Sequence, residues 1–163
     1  VGVVGVGPKG VGGWLAKAQT NMKDINLGSG RFIHLHNRFI CDEKLSDQLV
    51  TDTIKSLVGE GAQVIVSSES YGVDDMENET GICAIAKNMG LEATAASEIT
   101  KLYGLTRRTR TAAINASILP KMLNTANSTE QSVRSAGVEV PLMIMRGDGG
   151  VMEISEMKKR ILK

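Results

Sequence analysis

The chain has 163 residues, enough for one domain with a sizeable core, and 42% of them are hydrophobic. A formal charge of +1 excludes a general attraction to nucleic acid or to a membrane surface, and no apolar run approaches the ~20 residues that span a bilayer. Aromatic residues make up only 3%, so the core must come from Val, Ile, Leu, Met and Ala, and two cysteines without metal or redox spacing suit a reducing cytoplasm.

Val1 to Gly7 is a continuous β-branched run closed by Gly-Pro, the pattern of a buried strand. Trp14 to Met22 reads as a short helix, Asn26 to Gly30 as a loop and Arg31 to Ile40 as a strand. Ser46 caps a helix whose Leu49, Val50, Ile54, Leu57 and Val58 share one face, and Gly59 ends it. Gln63 to Ser67 is a short buried strand. Asp74 or Asp75 begins a helix with Ile82, Ile85, Ala86 and Met89 at helical spacing, ended by Gly90, and Leu91 to Ala96 is the next strand. Helix, strand, helix, strand with short joins implies parallel strands. A long helical stretch covers 107–136, and Pro120 should kink or divide it. Val140 to Met145 is the last strand, expected to lie parallel with 63–67 and 91–96, and Ile154 to Leu162 is a terminal helix. The expectation is a single α/β domain over 1–163, with three layers and a mostly parallel sheet between flanking helices.

Arg107, Arg108 and Arg110 stand at the start of the long helix, where orphan N–H groups and the dipole favour an anion. Thr109 and Thr111 add hydroxyls, Asn115 follows Thr111 by one turn, and Arg108 and Asn115 are two turns apart. On spacing alone a solvated basic face is the alternative. The segment from Arg146 through Asp148 to Gly149 and Gly150 closes the last strand. A loop at the carboxyl end of a strand is a common ligand position, and glycines allow close backbone approach. Its alternative is a tight turn with Arg146 and Asp148 exposed. The Arg-Gly-Asp tripeptide also invites an adhesion reading, which no secretory feature accompanies.

Gly5-x-Gly7-x-x-Gly10 matches a dinucleotide fingerprint. A Rossmann site also needs an acid ending its second strand, near Asn37 here. Asp24 has the offset but sits at a helix end or in a loop, and Pro8 removes an N–H from the glycine loop. His34 and His36 alternate on one strand face with no third ligand in sequence reach, so surface or hydrogen-bonded histidines are the better reading. Asp74, Asp75, Glu77 and Glu79 complement the dipole of a first helical turn. Cys41 and Cys83 read as small core residues, and Met143 and Met145 as strand packing.

Two motifs resemble the hydantoinase/oxoprolinase family, specifically its ATP-dependent hydantoinase A type of subunit. The first is Arg108, Thr109, Thr111, Asn115, Ala116 and Pro120 at their spacing in the long helix. The second is Pro141, Leu142 and Met145 followed by Gly149 and Gly150. The resemblance is family-like over 45–163, clearest to about residue 160, and weak over 1–44. It implies an actin/hexokinase-like ATPase architecture, with this chain an excised piece of a larger protein. Relatives carry Asp-x-Gly-Gly-Thr or Gly-Gly-Thr phosphate loops, and neither occurs here. The piece is therefore expected to lie between the two loops.

What the resemblance implies for function is a hydrolase that opens cyclic amides, with relatives that carboxylate ketones. ATP would phosphorylate the carbonyl or amide oxygen, with Mg²⁺ as its usual companion. The chain would contribute substrate-side or interlobe surface only. Its partners would be the remaining lobes of its own chain, and a hydantoinase B-type subunit or a homo-oligomer. Arg108, Thr109, Thr111, Asn115, Gly149 and Gly150 carry the family's residue types. Arg146 and Asp148 depart from the Gln-Ser-Asn usual before Gly-Gly, and Arg107 and Arg110 from acidic or small residues, which makes the latter pair surface. Two other readings stay open: a non-catalytic regulatory or scaffold domain, and a nicotinamide-dinucleotide-binding oxidoreductase domain.

Overall fold

A computed structural model describes residues 1–145 and 149–161, with side chains as far as Met157. Its contacts cluster into two compact units, 1–117 and 118–163.

In the first unit, strand β1 (Gly2–Gly7) is buried at every position, as a central strand covered on both faces must be. It pairs in parallel with β4 (His36–Cys41) on one side and β5 (Val64–Glu69) on the other, and β6 (Glu92–Ala95) extends the sheet beyond β5. The order β4-β1-β5-β6 means that the chain reverses its direction of travel between β1 and β5. Helix α1 (Val11–Thr20) and a hairpin of β2 (Ile25–Gly28) and β3 (Arg31–Ile33) connect β1 to β4. Helix α2 (Asp47–Gly59) connects β4 to β5, and α3 (Glu77–Asn88) connects β5 to β6. Ser46 Oγ accepts the Leu49 N–H at 3.3 Å, the cap expected of it.

Strand alternation assigns the layers. Val4, Val6, Ile65, Ala93 and Ala95 share one core with Ile54 and Leu57 of α2 and Ile82 and Ala86 of α3. On the opposite pleat of β1, a Cβ at Gly5 would overlap Thr20 and one at Gly7 would crowd Ala16. The absent side chains let α1 press onto that face. The α/β expectation of a parallel sheet between flanking helices holds, with 63–67 and 91–96 adjacent and parallel as β5 and β6.

A short helix α4 (Ala96–Ile99) follows β6, and α5 (Leu105–Ser135) begins after Gly104. Pro120 does not divide α5, which remains one helix through it. The boundary between the two units falls inside α5, just ahead of that proline. The second unit adds β7 (Met143–Met145), β8 (Val151–Glu153) and α6 (Ile154–Ile161) to the rest of α5.

The run 140–145 does not join the parallel sheet. Its β7 pairs antiparallel with β8 in a two-stranded sheet of its own. Met143 and Met145 are 57% and 75% exposed, so they are surface residues and not strand packing. A hairpin satisfies so short a strand locally, whereas a parallel strand needs apolar cover on both faces. The run 31–40 is likewise two strands, because the expected loop at 26–30 is the turn of the β2–β3 hairpin. Gly28, Ser29 and Gly30 take φ of 84°, 51° and 76° there. Asp24 Oδ1 then accepts the Leu35 N–H at 2.9 Å, between β3 and β4.

Candidate functional site

The first turns of α5 pack on the face of the sheet that α1 also covers. Ser68 is in register with Gly5, so it projects into that layer, where its hydroxyl meets Thr109 Oγ1 at 2.7 Å. Thr109 gives its own proton to Leu105 O at 2.7 Å, so Ser68 is the donor. Arg108 is 1% exposed. Its guanidinium donates to the carbonyls of Glu69, at the end of β5, and Leu102, the latter at 3.2 Å.

Glu79, fully buried on α3, accepts the N–H of Glu69 through Oε1 at 2.8 Å and the N–H of Ser97 through Oε2 at 2.8 Å. The backbone of Glu69 is thus held on its N–H side by a buried anion and on its C=O side by a buried cation. Burial pushes the Glu79 carboxyl above the ordinary range, while the two N–H groups and the Arg108 charge work against that rise. Glu69 itself is half-buried with Oε1 on Asn78 Nδ2 at 2.9 Å, and burial raises its carboxyl too. Gly72 makes room for this arrangement, since a Cβ there would collide with the Glu79 carboxylate and Ser97 Oγ.

Beside this knot lies a cleft of about 240 Å³ lined by Thr100, Leu102, Tyr103, Arg107, Arg108 and Thr111. Thr111 Oγ1 donates to Arg107 O at 3.0 Å. Thr100 Oγ1 accepts the Leu102 N–H at 3.3 Å, which leaves its own proton free to donate. The Tyr103 hydroxyl donates to the exposed Asp74 at 2.8 Å.

The expected site residues therefore separate. Arg108 and Thr109 are buried and bonded to the sheet, and Arg108 and Thr111 share a cleft. Asn115 is half-buried, does not line that cleft, and its side chain makes no hydrogen bond to another described residue. Arg107 and Arg110 are exposed, as the sequence implies. Gly149, at φ 82°, and Gly150 belong to the second unit, and Arg146 and Asp148 lie outside the described residues.

Glu79 is the residue that sequence reasoning misplaced. Asp74, Asp75 and Glu77 are exposed near the start of α3, but Glu79 shares the buried stripe of Ile82, Cys83 and Ala86. Its spacing of three and seven from Ile82 and Ala86 was the available signal. His34 and His36 each meet a carboxylate of their own: His34 Nδ1 is 2.6 Å from Asp24 Oδ2, and His36 Nδ1 is 3.5 Å from Glu60 Oε2. Among the described residues, no group of three or more His, Cys, Asp or Glu could hold a metal ion. The second parallel strand ends at Cys41, so the acid that follows it is Asp42, and Asn37 lies in the strand's first turn of pleat.

Within the second unit, an apolar groove of about 580 Å³ has walls of Ile118, Met122, Ala126, Leu142, Ile144 and Ile154. Lys121 is the one charged side chain lining it among the described residues. It offers hydrophobic cover and not a convergence of polar groups.

Residues 108–163 match the sequence model of the hydantoinase/oxoprolinase family. That span contains both motifs, from Arg108 to Pro120 and from Pro141 to Gly150. No curated protein matches the chain. Among solved structures, the fold is similar to the nucleotide-free acetone carboxylase from work on the mechanism of ATP-dependent acetone carboxylation, with a TM-score of 0.57 at 14% identity. The likeness covers 99% of this chain and 27% of that one, so the chain spans about a quarter of its neighbour's length. The carboxyl-terminal third of the chain, beginning at the buried Arg108, thus matches the hydantoinase/oxoprolinase family model, and the α/β fold that carries it is similar to that of acetone carboxylase.

Proposed function

We propose that the chain is part of an ATP-dependent hydrolase acting on cyclic amides, of the hydantoinase/5-oxoprolinase type. It contributes substrate-side surface at the cleft beside α5. The observation that carries this reading is that the family segment opens at Arg108 and includes Thr111, and both line that cleft. Guanidinium and hydroxyl groups in a partly enclosed space suit the positioning of a polar ring and its carbonyl oxygen.

ATP with Mg²⁺ would supply phosphorylation of that oxygen. The residues present do not fit the nucleotide. No family phosphate loop occurs in the sequence, and the described residues hold no acidic or histidine cluster for a metal. The proposal therefore puts ATP and Mg²⁺ on other lobes of the parent protein, and a B-type subunit or a second copy on its remaining surface. A cytoplasmic setting belongs to the same proposal. Among the described residues no helix is long and apolar enough to cross a membrane.

The isolated chain should not hydrolyse ATP. ATPase activity that survives gel filtration and exceeds a mock purification would overturn the assignment of the phosphate loops to other lobes. In the parent protein, ATP-dependent ring opening of a hydantoin or of 5-oxoproline should be measurable. Thr111→Val should lower kcat/KM about fivefold, the loss of one polar contact. Absence of any ATP-dependent ring opening would remove the reading.

One observation favours a second reading. The Gly5 to Gly10 run ends a parallel strand and leads into a helix, and Asp42 follows the end of the next parallel strand. That is the context of a dinucleotide fingerprint. Against it, the β2–β3 hairpin interrupts the βαβ unit, and the Pro8 carbonyl lies where a Cβ on Gly13 would be. Titration with NAD(H), followed by fluorescence of the exposed Trp14 on α1, decides it.

A further inference from the structure

We infer that the cleft beside the start of α5 is a binding site for a small oxyanion, a carboxylate or a phosphate group. This inference rests on reading the cleft as substrate-side surface and adds the chemistry of what it holds. Three observations converge. Arg108 is almost wholly buried, and among the described residues its Nε has no hydrogen-bond partner although both Nη atoms have one. A buried guanidinium N–H left unpaired is costly, and such groups in native proteins are usually met by a ligand or an ordered water. The side chain of Arg107, on the adjoining wall, has no hydrogen bond or ion pair to another described residue.

The third observation is the character of the walls. Thr100 keeps a free hydroxyl proton, because its oxygen accepts from the Leu102 N–H. No carboxylate lines the cleft among the described residues, and the first turn of α5 carries no acid to offset its dipole. The nearby acids are already engaged. Asp74 takes the Tyr103 hydroxyl, and Glu79 faces Arg108 while bonded to two backbone N–H groups. Arg107 thus brings a charge that nothing described neutralises, in a volume of about 240 Å³ that admits a small ligand but not a nucleic acid chain.

The test is titration of the 163-residue chain with inorganic phosphate and, separately, with acetate, read by amide NMR shifts over residues 100–111. Saturable shifts confined to that segment are expected. Phosphate alone, or acetate alone, supports the site and identifies the group it takes. Arg107→Ala should weaken binding about tenfold, the size of one charge-assisted hydrogen bond. Lys55→Ala, on the exposed side of α2, should leave binding unchanged. No saturable shift with either anion, or equal weakening by the two variants, overturns the inference. Because binding is read without turnover, it can stand where ring-opening activity fails, and the reverse.

Discussion

The two faces of the first turns of α5 use the same side-chain types for opposite ends. Arg108 and Thr109 face the sheet with Ala112 and Ala113 and are buried, while Arg107, Arg110 and Thr111 face outward and are exposed. Inward, an arginine has its charge answered by backbone carbonyls and by Glu79, and a threonine has its hydroxyl fully paired. Outward, an arginine side chain has no partner among the described residues and a threonine turns back on its own helix. An Arg-Thr cluster at a helix start thus supplies both a buried anchor and an exposed surface, divided by the helical period. The buried pair fixes where the exposed pair stands.

The strongest way to break that division is to compare Arg108→Ala with Arg107→Ala. Removing Arg108 leaves the carbonyls of Glu69 and Leu102 without their donor. A buried acceptor left without its partner costs about 1–3 kcal/mol. Arg107→Ala should stay within about 0.5 kcal/mol of the parent, as exposed substitutions do. Urea unfolding of both variants measures this directly. Equal stabilities would mean that Arg108 is no anchor.

A smaller effect is expected from Ser68→Ala. Ser68 Oγ is the donor to Thr109, and both side chains are fully buried. A loss of about 1–2 kcal/mol is expected, the cost of one buried hydrogen bond. A Ser68→Ala variant as stable as the parent would show that α5 is held by Arg108 alone.

The pH dependence sharpens the same comparison. Glu69 and Glu79 are both raised above 4.5 by burial. The folded state therefore binds more protons than the unfolded state just above that value, and stability falls as pH rises from 4.5 through the raised values. Glu69→Gln keeps an oxygen for Asn78 and removes one titrating group, so its urea midpoint should fall less over that window. Asp24 acts in the other direction. Its carboxyl is lowered, chiefly by the Leu35 N–H and then by His34, so its contribution is present above 3.8 and lost as pH falls below. A Glu69→Gln profile parallel to that of the parent would show that Glu69 titrates normally.

Much of this arrangement could be read in the chain itself. The β-branched runs and helical stripes of 46–96 specify β5, α3 and β6, because local period and burial agree there. The glycines of β1 were legible as a loop signal, but their packing role against Thr20 and Ala16 was not, since it depends on which helix lands on that pleat. β7 misled because an apolar run of a few residues looks the same in a buried parallel strand and in an exposed hairpin. The Arg-Thr motif was visible, yet its division into anchor and cleft needs the sheet end at Glu69 and the loop at Leu102. Both are contributed by distant segments whose meeting no spacing within α5 encodes.

The smallest predicted effect falls on Asn115, which spacing groups with Arg108 on one face. Seven residues advance an α-helix by nearly two turns, so the two are close to alignment, yet Arg108 is buried and Asn115 only half so. The Asn115 side chain bonds no described neighbour, so among the described residues it ties α5 to none that its removal would release. Asn115→Ala should therefore hold or raise the melting temperature slightly, since alanine is the better helix former by about 0.5 kcal/mol. In the parent protein the same substitution separates two roles. A fall in turnover per folded molecule, with the melting temperature held, would place Asn115 at the substrate surface. A fall in melting temperature at full specific activity would instead reveal a partner for its amide and remove it from the site. Unchanged values for both would leave the α5 cleft to Arg107, Arg108 and Thr111, and would confine the functional face of this helix to its first two turns.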